Sequence, residues 1–453
     1  MGPAQAPHTR QHLCQTTQGR LAAMGGSVGV DYGQLRLGGD ELLVGEALQQ
    51  RRIVEGDTGY GVVRVPASHR LLEPAAQVTL GVVEQCQLDG HNGRRLAWAG
   101  VCVTFHRMKA IVVDTETPER DLLWRDVADP VAGDGQVLID IHASAVNRAD
   151  LLQRGGHYPP PPGESDILGL EMAGVVAATG LGVSGWQVGD RVCALLGGGG
   201  YAERVAVDAR QLLPVPDGWS FERAAAVPEV FLTAWLNLFR EAGLRASETV
   251  LIHAGASGVG TAAIQLAREA GCRVVVTAGT EAKRERCRQL GAAFACDYKD
   301  TDFAAEIRAY LNDDLAQHRG DGAAISPNAD GGGVNVVLDV GGASHLARNL
   351  DVLAPQGRLV LLALLGGSGS GIDLGLVLRK RLHLIGSTLR SRPIPEKGDI
   401  IAGFLAQFWD ALVAGRIEPV IDRVIPVQEA GAAHAVIAGN TTIGKVILAV
   451  RRT

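Results

Sequence analysis

Aromatic residues are scarce in this chain, making up 4% of 453 positions. So few rings, with no basic residues interleaved among them, speak against a surface that stacks single-stranded bases. Positive charge is also short: 43 Lys and Arg stand against 49 Asp and Glu, a formal net charge of −6. A protein that holds nucleic acid by neutralising phosphates needs the opposite balance, so no nucleic-acid partner is expected. No apolar run reaches the roughly 20 residues that cross a bilayer, so no membrane partner is expected either. The seven cysteines, at positions 14, 86, 102, 193, 272, 287 and 296, form no C-x-x-C pair. That excludes a disulfide framework and suits a reduced, cytoplasmic protein. The first thirty residues hold no acid, only Arg10 and Arg20, and no apolar core. They show no secretory signal and only a faint likeness to a transit peptide. Glycine, by contrast, is abundant at 59 residues, which points to many tight turns or close backbone approaches. The length leaves room for two or three domains with sizeable cores.

Residues 1–107 contain no lysine, ten arginines and no sustained helical or alternating pattern. Val62–Val65 and Val78–Val83 read as isolated strands, and Asp40–Gln50 as a short helix. Nothing there resembles a catalytic constellation. A targeting or regulatory extension is one reading. A poorly structured or spurious segment ahead of a start at Met108 is preferred, because the residues after it open with a strand as a domain would.

One stretch organises the rest: Thr249-Val-Leu-Ile-His-Ala-Gly-Ala-Ser-Gly-Val-Gly-Thr261. Val250 to Ile252 is a buried parallel strand by pattern. Small residues follow, then a helix with apolar positions such as Val259, Ala263 and Ala267 at three-to-four spacing, closed near Gly271. Strand, glycine turn and helix N-terminus together bind a pyrophosphate through unpaired N–H groups and the helix dipole. Gly255, Ser257, Gly258, Val259 and Gly260 would line that mouth. Their spacing, G-x-x-G-x-G, departs from the usual fingerprint, and glycine-rich turns are common, so the flanks must carry the assignment.

The flanks divide into two kinds. Lys109–Val113, Gln136–Ala143, Met172–Val176 and Asp190–Ala194 are short strands parted by glycine turns, a β-rich, partly barrel-like pattern. Ala143-Ser-Ala-Val-Asn-Arg-Ala-Asp-Leu151, Gly169-Leu-Glu-Met-Ala-Gly174 and Val188-Gly-Asp-Arg-Val192 resemble the medium-chain dehydrogenase/reductase superfamily. Its zinc alcohol dehydrogenases carry a cysteine where Asn147 stands and a histidine where Leu170 stands. The four-cysteine lobe after Val192 is replaced by Cys193-Ala-Leu-Leu-Gly-Gly-Gly-Gly200. Asp150 and Glu171 remain, but two carboxylates without softer partners make a poor zinc site, so a metal-free branch is expected. Gln153–Gly163, Ala225-Ala-Val-Pro-Glu229 and Gly386-Ser-Thr-Leu-Arg-Ser-Arg392 are similar to quinone oxidoreductases of the zeta-crystallin group. The likeness covers nearly all of 108–453 and none of 1–107. It implies an α/β fold: a GroES-like β-rich catalytic domain over 108–230 and 369–453, and a Rossmann doubly wound parallel sheet over 231–368.

The resemblance places Asn147, Tyr158 and Ser257 around nicotinamide and substrate. An Asn amide can hold a ribose or carbonyl oxygen without ionising, and a Tyr hydroxyl can donate to a developing oxyanion. The plainer readings are a turn residue for Asn147 and a ring packed on Pro159–Pro162 for Tyr158. Asp150 and Glu171 are read as structural partners of nearby backbone or Arg148. At the end of the next strand, Arg273–Thr277, an NAD-specific site usually has an acid. Gly279 and Thr280 stand there instead, with Lys283 one turn into a helix, able to pair with a 2′-phosphate. The resemblance agrees on Gly279 and Lys283 and adds Tyr298, so NADPH is the expected cofactor. By resemblance Leu364 and Leu365 flank the nicotinamide, and Thr388, Leu389, Arg390 and Asn440 reach the cleft. Buried core leucines and plain surface arginines are the competing readings. Residues 312–333, rich in Asp, Gly, Asn and Ser, read as an inserted flexible loop.

The function expected is an NADPH-dependent quinone reductase acting without a metal, with a homodimer expected from the family alone. An enone or 2-alkenal reductase is the alternative. A non-catalytic NADPH- or RNA-binding protein of the crystallin kind is a third reading, opposed by the negative charge and by Asn147 with Tyr158.

Overall fold

A computed structural model describes residues 35–37, 40–42, 78–83, 100–105, 107–318, 332–369 and 371–451. Two compact units are delimited, residues 1–70 and 71–453. In the first, β1 (Leu35–Leu37) and β2 (Asp40–Leu42) pair antiparallel. The helix expected over Asp40–Gln50 therefore starts as a strand. Residues 43–50 and the strand expected at Val62–Val65 lie outside the described residues, as does most of the 1–107 segment. In the second unit β3 (Val78–Val83) is the strand expected, paired antiparallel with β4 (Gly100–Phe105).

The half expected to be catalytic opens with the hairpin β5 (Arg107–Val113) and β6 (Leu122–Ala128). It continues through β7 (Gln136–Val146), helix α1 (Arg148–Arg154), β8 (Glu171–Thr179), β9 (Arg191–Leu195), β10 (Arg204–Asp208) and β11 (Leu212–Pro214). Along β7 the period-two pattern is realised: Val137, Ile139, Ile141 and Ala143 are buried, and the residues between them half-buried. The short helix α2 (Phe221–Ala225) and then α3 (Pro228–Trp235) lead out of this half, α3 running into one π-helical stretch, Leu236–Glu241. Pro228 at the first turn fixes where α3 starts, ahead of the expected Phe231.

The second half is a six-stranded sheet. Its strands are β12 (Thr249–Ile252), β13 (Arg273–Thr277), β14 (Phe294–Cys296), β15 (Val334–Asp339), β16 (Leu353–Leu361) and β17 (His383–Gly386). All pair in parallel, in the order β14-β13-β12-β15-β16-β17. Helices α4 (Gly258–Glu269), α5 (Glu281–Leu290), α6 (Phe303–His318), α7 (Ala343–Val352) and α8 (Leu374–Lys380) make the crossovers. Every residue of β12 and β15 is buried, as a strand covered on both faces requires. The first β-strand of this sheet is central, so the strand order reverses at its C-terminal edge. That reversal is where an α/β sheet opens a crevice for a ligand.

Two expected boundaries move. The return to the catalytic half does not begin at 369, because α8 and β17 complete the parallel sheet before the chain leaves it. A free edge at β16 and a short helical crossover make one more parallel strand the natural continuation. The loop expected over 312–333 begins later too. Phe303, Ala304, Ile307 and Leu311 form a buried stripe that carries α6 on to His318. Residues 319–331 lie outside the described residues. After β17, α9 (Ile394–Val413) buries Ile400, Ile401, Phe404, Phe408 and Leu412. Next come β18 (Ile421–Pro426), α10 (Ala430–Ala438) and β19 (Lys445–Ala449). They finish the first sheet in the order β11-β9-β8-β7-β19-β18, with β10 also on β7. Among the described residues no helix is long and apolar enough to cross a membrane.

Where β8 crosses β7, Gly174 faces Ile141, and a methyl group there would collide with the carbonyl oxygen of Asp140. Gly174→Ala is expected to destabilise the protein by about 1–3 kcal/mol, the usual cost of overpacking. A urea unfolding midpoint unchanged from wild type would contradict this.

Candidate functional site

The mouth expected to take a pyrophosphate forms where β12 hands over to α4. Ser257 caps the helix, its hydroxyl oxygen accepting from the Gly260 N–H at 3.0 Å. That satisfies one of the first-turn donors and leaves the end of the helix aimed at the crevice with its partial positive charge. Small residues are required by contact. A Cβ at Gly258 would lie 2.7 Å from Lys445 Cδ, and one at Gly260 would strike the carbonyl oxygens of Ala254 and Gly255. Gly255 sits against Val276 and Cys287, and Val259 is half-buried. The mouth is thus closed from behind by the last strand of the other half.

At the end of β13, a Cβ on Gly279 would lie 2.7 Å from Lys299 Cε and 3.1 Å from Tyr298 Cε1. Lys283 donates through Nζ to the Asn440 carbonyl at 2.6 Å, and Arg148 donates to the Asn440 side-chain oxygen. Asn440 holds this bridge with a left-handed φ of 53°, a conformation Asn tolerates. Burial and the nearby Lys299 and Arg148 charges push the Lys283 ammonium pKa down. Three cations, Arg148, Lys283 and Lys299, therefore converge on one edge. Lys299 adjoins a residue the sequence had singled out. Arg148 comes from the other half of the chain, 292 positions from Asn440, and no local pattern signals it.

Deeper in, Asp150 and Glu171 accept from backbone amides as expected, but the cation beside them is not Arg148. Glu171 is fully buried and pairs with Lys445, not Arg148: Nζ lies 2.7 Å from Oε1. Lys445 also donates to Asn147 Oδ1 at 2.6 Å, while Asn147 Nδ2 donates to Glu171 Oε1 at 2.9 Å. Both ends of the Asn147 amide are held by protein. Its backbone N–H meets Asp150 Oδ2 at 2.7 Å, closing the start of α1. Asp150 further accepts from Gly169 N–H and the Tyr201 hydroxyl, and that hydroxyl lies 3.3 Å from His434 Nε2. Burial raises the Asp150 pKa to about 6 despite these donors, and drops His434 to about 3. Glu229, whose backbone N–H donates to Glu171 Oε2 at 2.8 Å, is pushed up to about 8 by burial and by the Glu171 charge. Its place in the first turn of α3 favours the carboxylate by only about 0.3–1 kcal/mol, too little to reverse that.

Tyr158 is half-buried, its pKa raised by burial and by Glu229. Arg390 does not face the crevice as a surface cation would. It is buried under the Tyr158 ring, 5.1 Å from the centroid, donating to Gly197 O, Tyr158 O and Gln153 Oε1. Three oxygens at fixed positions hold its fork, so it braces the Tyr158 loop. Leu389 is buried beside it, while the Thr388 hydroxyl bonds Ser391 Oγ at 3.0 Å. Leu364 and Leu365 are exposed after β16, not core leucines, and Leu364 lies against Gly342. One described trio could turn ligand atoms towards a cation, His253, Asp339 and His345. Its atoms are largely committed already: His253 to Thr277 and Asn349, and Asp339 to the Gly341 and Gly342 amides.

Two family models match the chain, the alcohol dehydrogenase GroES-like domain over residues 133–217 and the zinc-binding dehydrogenase over 258–403. The quinone oxidoreductase of Mus musculus is 31% identical over 346 residues, 75% of this chain and 97% of that protein. The phthioceranic/hydroxyphthioceranic acid synthase of Mycobacterium bovis is 35% identical over 325 residues, 71% of this chain. The chain spans 14% of that much longer relative. Among solved structures, a mycobacterial protein complexed with NADPH superposes with a TM-score of 0.64 at 29% identity, over 76% of this chain and all of that one.

Lys445 tests the deeper network without any ligand. Lys445→Met leaves Glu171 buried and unpaired, and a loss of about 3–5 kcal/mol in stability is expected. Denaturant unfolding within about 1 kcal/mol of wild type would show that the pair is not what holds these strands.

Proposed function

The chain belongs to the medium-chain dehydrogenase/reductase family, and from that premise we propose that it is an NADPH-dependent quinone reductase working without a metal. The observation that carries the reading is the gathering of Arg148 and Lys283 on Asn440, with Lys299 near Lys283 and beside Gly279, at a strand end with no acid. A carboxylate there would repel a 2′-phosphate, and three cations attract one. The Ser257-capped end of α4 takes the pyrophosphate, through the backbone of Gly258 to Gly260.

What supports the metal-free reading is the donor set. Around Asn147 stand an amide, Leu170 and carboxylates, with the Lys445 ammonium already 2.7 Å from Glu171. Zinc wants converging thiolates or imidazoles, and an ammonium holds the charge position a cation would need. Bound NADPH supplies a hydride; the protein supplies placement and a proton. Tyr158 donates its hydroxyl to the substrate oxygen, Arg390 keeps its loop in place, and Leu364 and Leu365 give the flat substrate an apolar wall. Asn147, tied to Lys445 and Glu171, orients the wall behind.

Quinones are the substrate class by similarity to the mouse quinone oxidoreductase. A second reading, reduction of an activated carbon–carbon double bond, draws on the similarity to a segment of the acid synthase. NADPH oxidation with naphthoquinones and with unsaturated aldehydes separates them, and activity on the aldehydes alone refutes the quinone assignment. The cysteines Cys193, Cys272, Cys287 and Cys296 are free thiols, in keeping with a cytoplasmic setting. A homodimer is proposed through β17, paired on one side only among the described residues, beside exposed Leu374, Leu378 and Leu384. Such an edge is a template for a second strand.

Lys283→Ala is expected to raise the Michaelis constant for NADPH about tenfold or more, the scale of one lost charge-assisted contact, and that for NADH little. Equal effects on both would defeat the cofactor assignment. Leu374→Asp with Leu378→Asp is expected to give a monomer in sedimentation velocity; an unchanged mass from wild type would remove the proposed interface.

A further inference from the structure

Tyr201 has no part in the cofactor and substrate contacts above, and it is wholly buried between β9 and β10. Its ring belongs to an apolar cluster with Ile111, Leu168, Val427, Ala430 and Ala433, which a phenylalanine would join as well. The hydroxyl is what needs a reason, since burying one without a partner costs free energy. It reaches two buried side chains on different helices. Asp150 Oδ2 on α1 is 3.1 Å away, and His434 Nε2 on α10 is 3.3 Å away.

One O–H proton can serve these two contacts in a single direction. Burial keeps the His434 imidazole neutral, its pKa down at about 3, and keeps the Tyr201 phenol protonated. The phenol donates to the Asp150 carboxylate, so the imidazole donates to the phenol oxygen from Nε2. His434 Nδ1 is then a bare acceptor, and among the described residues it has no hydrogen-bond partner. Donors therefore run in order from α10 through Tyr201 to α1.

Both helices lead from this joint to the cofactor edge. Asp150 accepts the Asn147 N–H at 2.7 Å and so fixes the first turn of α1, which opens with Arg148. Helix α10 ends at Ala438, and Asn440 follows directly after its Gly439 cap. There Arg148 donates to the Asn440 side chain, and Lys283 of α5 donates to the Asn440 carbonyl at 2.6 Å. The two helices are thus tied twice, inside by one phenol and outside by the Arg148–Asn440 pair.

We propose that Tyr201 is a positioning residue for cofactor choice: by joining α1 to α10, its hydroxyl holds Arg148 and Asn440 in place for the 2′-phosphate of NADPH. The inference rests on the NADPH reading above. NADH lacks that phosphate, so its binding does not draw on the joint.

The test titrates NADPH and NADH by fluorescence, without substrate, against the full chain as wild type, Tyr201→Phe, His434→Leu and His434→Gln. Tyr201→Phe should weaken NADPH binding about fivefold, a fraction of what a hydrogen bond to a charged group is worth, and leave NADH binding unchanged. His434→Leu should do the same. His434→Gln, whose amide can still donate to the phenol, should keep the wild-type preference. Gly174→Ala is the control for mere loss of stability: its urea midpoint should fall while the ratio of the two dissociation constants stays. An unchanged ratio in Tyr201→Phe, NADPH and NADH weakened alike, or an equal shift of the ratio in Gly174→Ala overturns the proposal. If Tyr201→Phe fails to fold, His434→Leu against His434→Gln decides by the same ratio. Wild type with no preference for NADPH defeats the cofactor reading and this one together; a wild-type preference that Tyr201→Phe retains defeats this one alone.

Discussion

The contact on which the site depends is the ion pair of Lys445 with Glu171, 2.7 Å apart and shut away from water. Taking both charges out of solvent costs several kcal/mol each, and the pair is retained only because its remaining donors and acceptors are used. They are. Lys445 reaches Val146 O and Asn147 Oδ1, and Glu171 receives Asn147 Nδ2 and the Glu229 amide. The pair therefore fixes four segments far apart in the chain: the end of β7, β8, the start of α3 and β19. Its aliphatic stem also fills the space behind Gly258. A backbone of the second half and a charge of the first half are thereby set in one register.

That register explains why the cofactor edge is composite. Lys283 and Lys299 come from the parallel sheet, but Arg148 belongs to α1, directly after Asn147, and Asn440 precedes β19 by a few residues. Both segments are positioned by the Lys445 network. The isolated bridge of Ser257 with Gly444, reinforced by the Gly444 N–H to Ala256 O bond at 2.9 Å, runs alongside. The Ser257-capped helix end is thus not a free-standing loop motif. It is braced by the strand that carries the lysine, and the two halves meet at the crevice with little room for slippage.

Legibility followed the range of the interaction. Strand β12, the glycine turn and α4 are set by neighbours within a dozen residues, and each was readable from apolar spacing and small residues. The same holds for β7, whose alternation is local. Lys445 was not readable, because a lysine before an apolar run looks like an ordinary strand start, and its partner lies 274 positions away in sequence number. Glu229 was visible only as the last letter of a segment. For Arg390 it is the competing surface-charge reading that fails, because three oxygens and an aromatic face are enough to bury a guanidinium. The boundary at 369, drawn from the resemblance, moved because sheet membership is decided by an open edge that only the fold supplies.

The buried carboxylates also limit what this crevice can be. Asp150, Glu171 and Glu229 would hold a divalent ion well in charge but poorly in kind, since oxygen donors alone do not select zinc. With Lys445 in place the Glu171 carboxylate is paired with an ammonium, and burial holds the Asp150 and Glu229 carboxyls above their ordinary range. The Lys445–Glu171 pair and the Asn147 amide tied to both are then not separate features but one network.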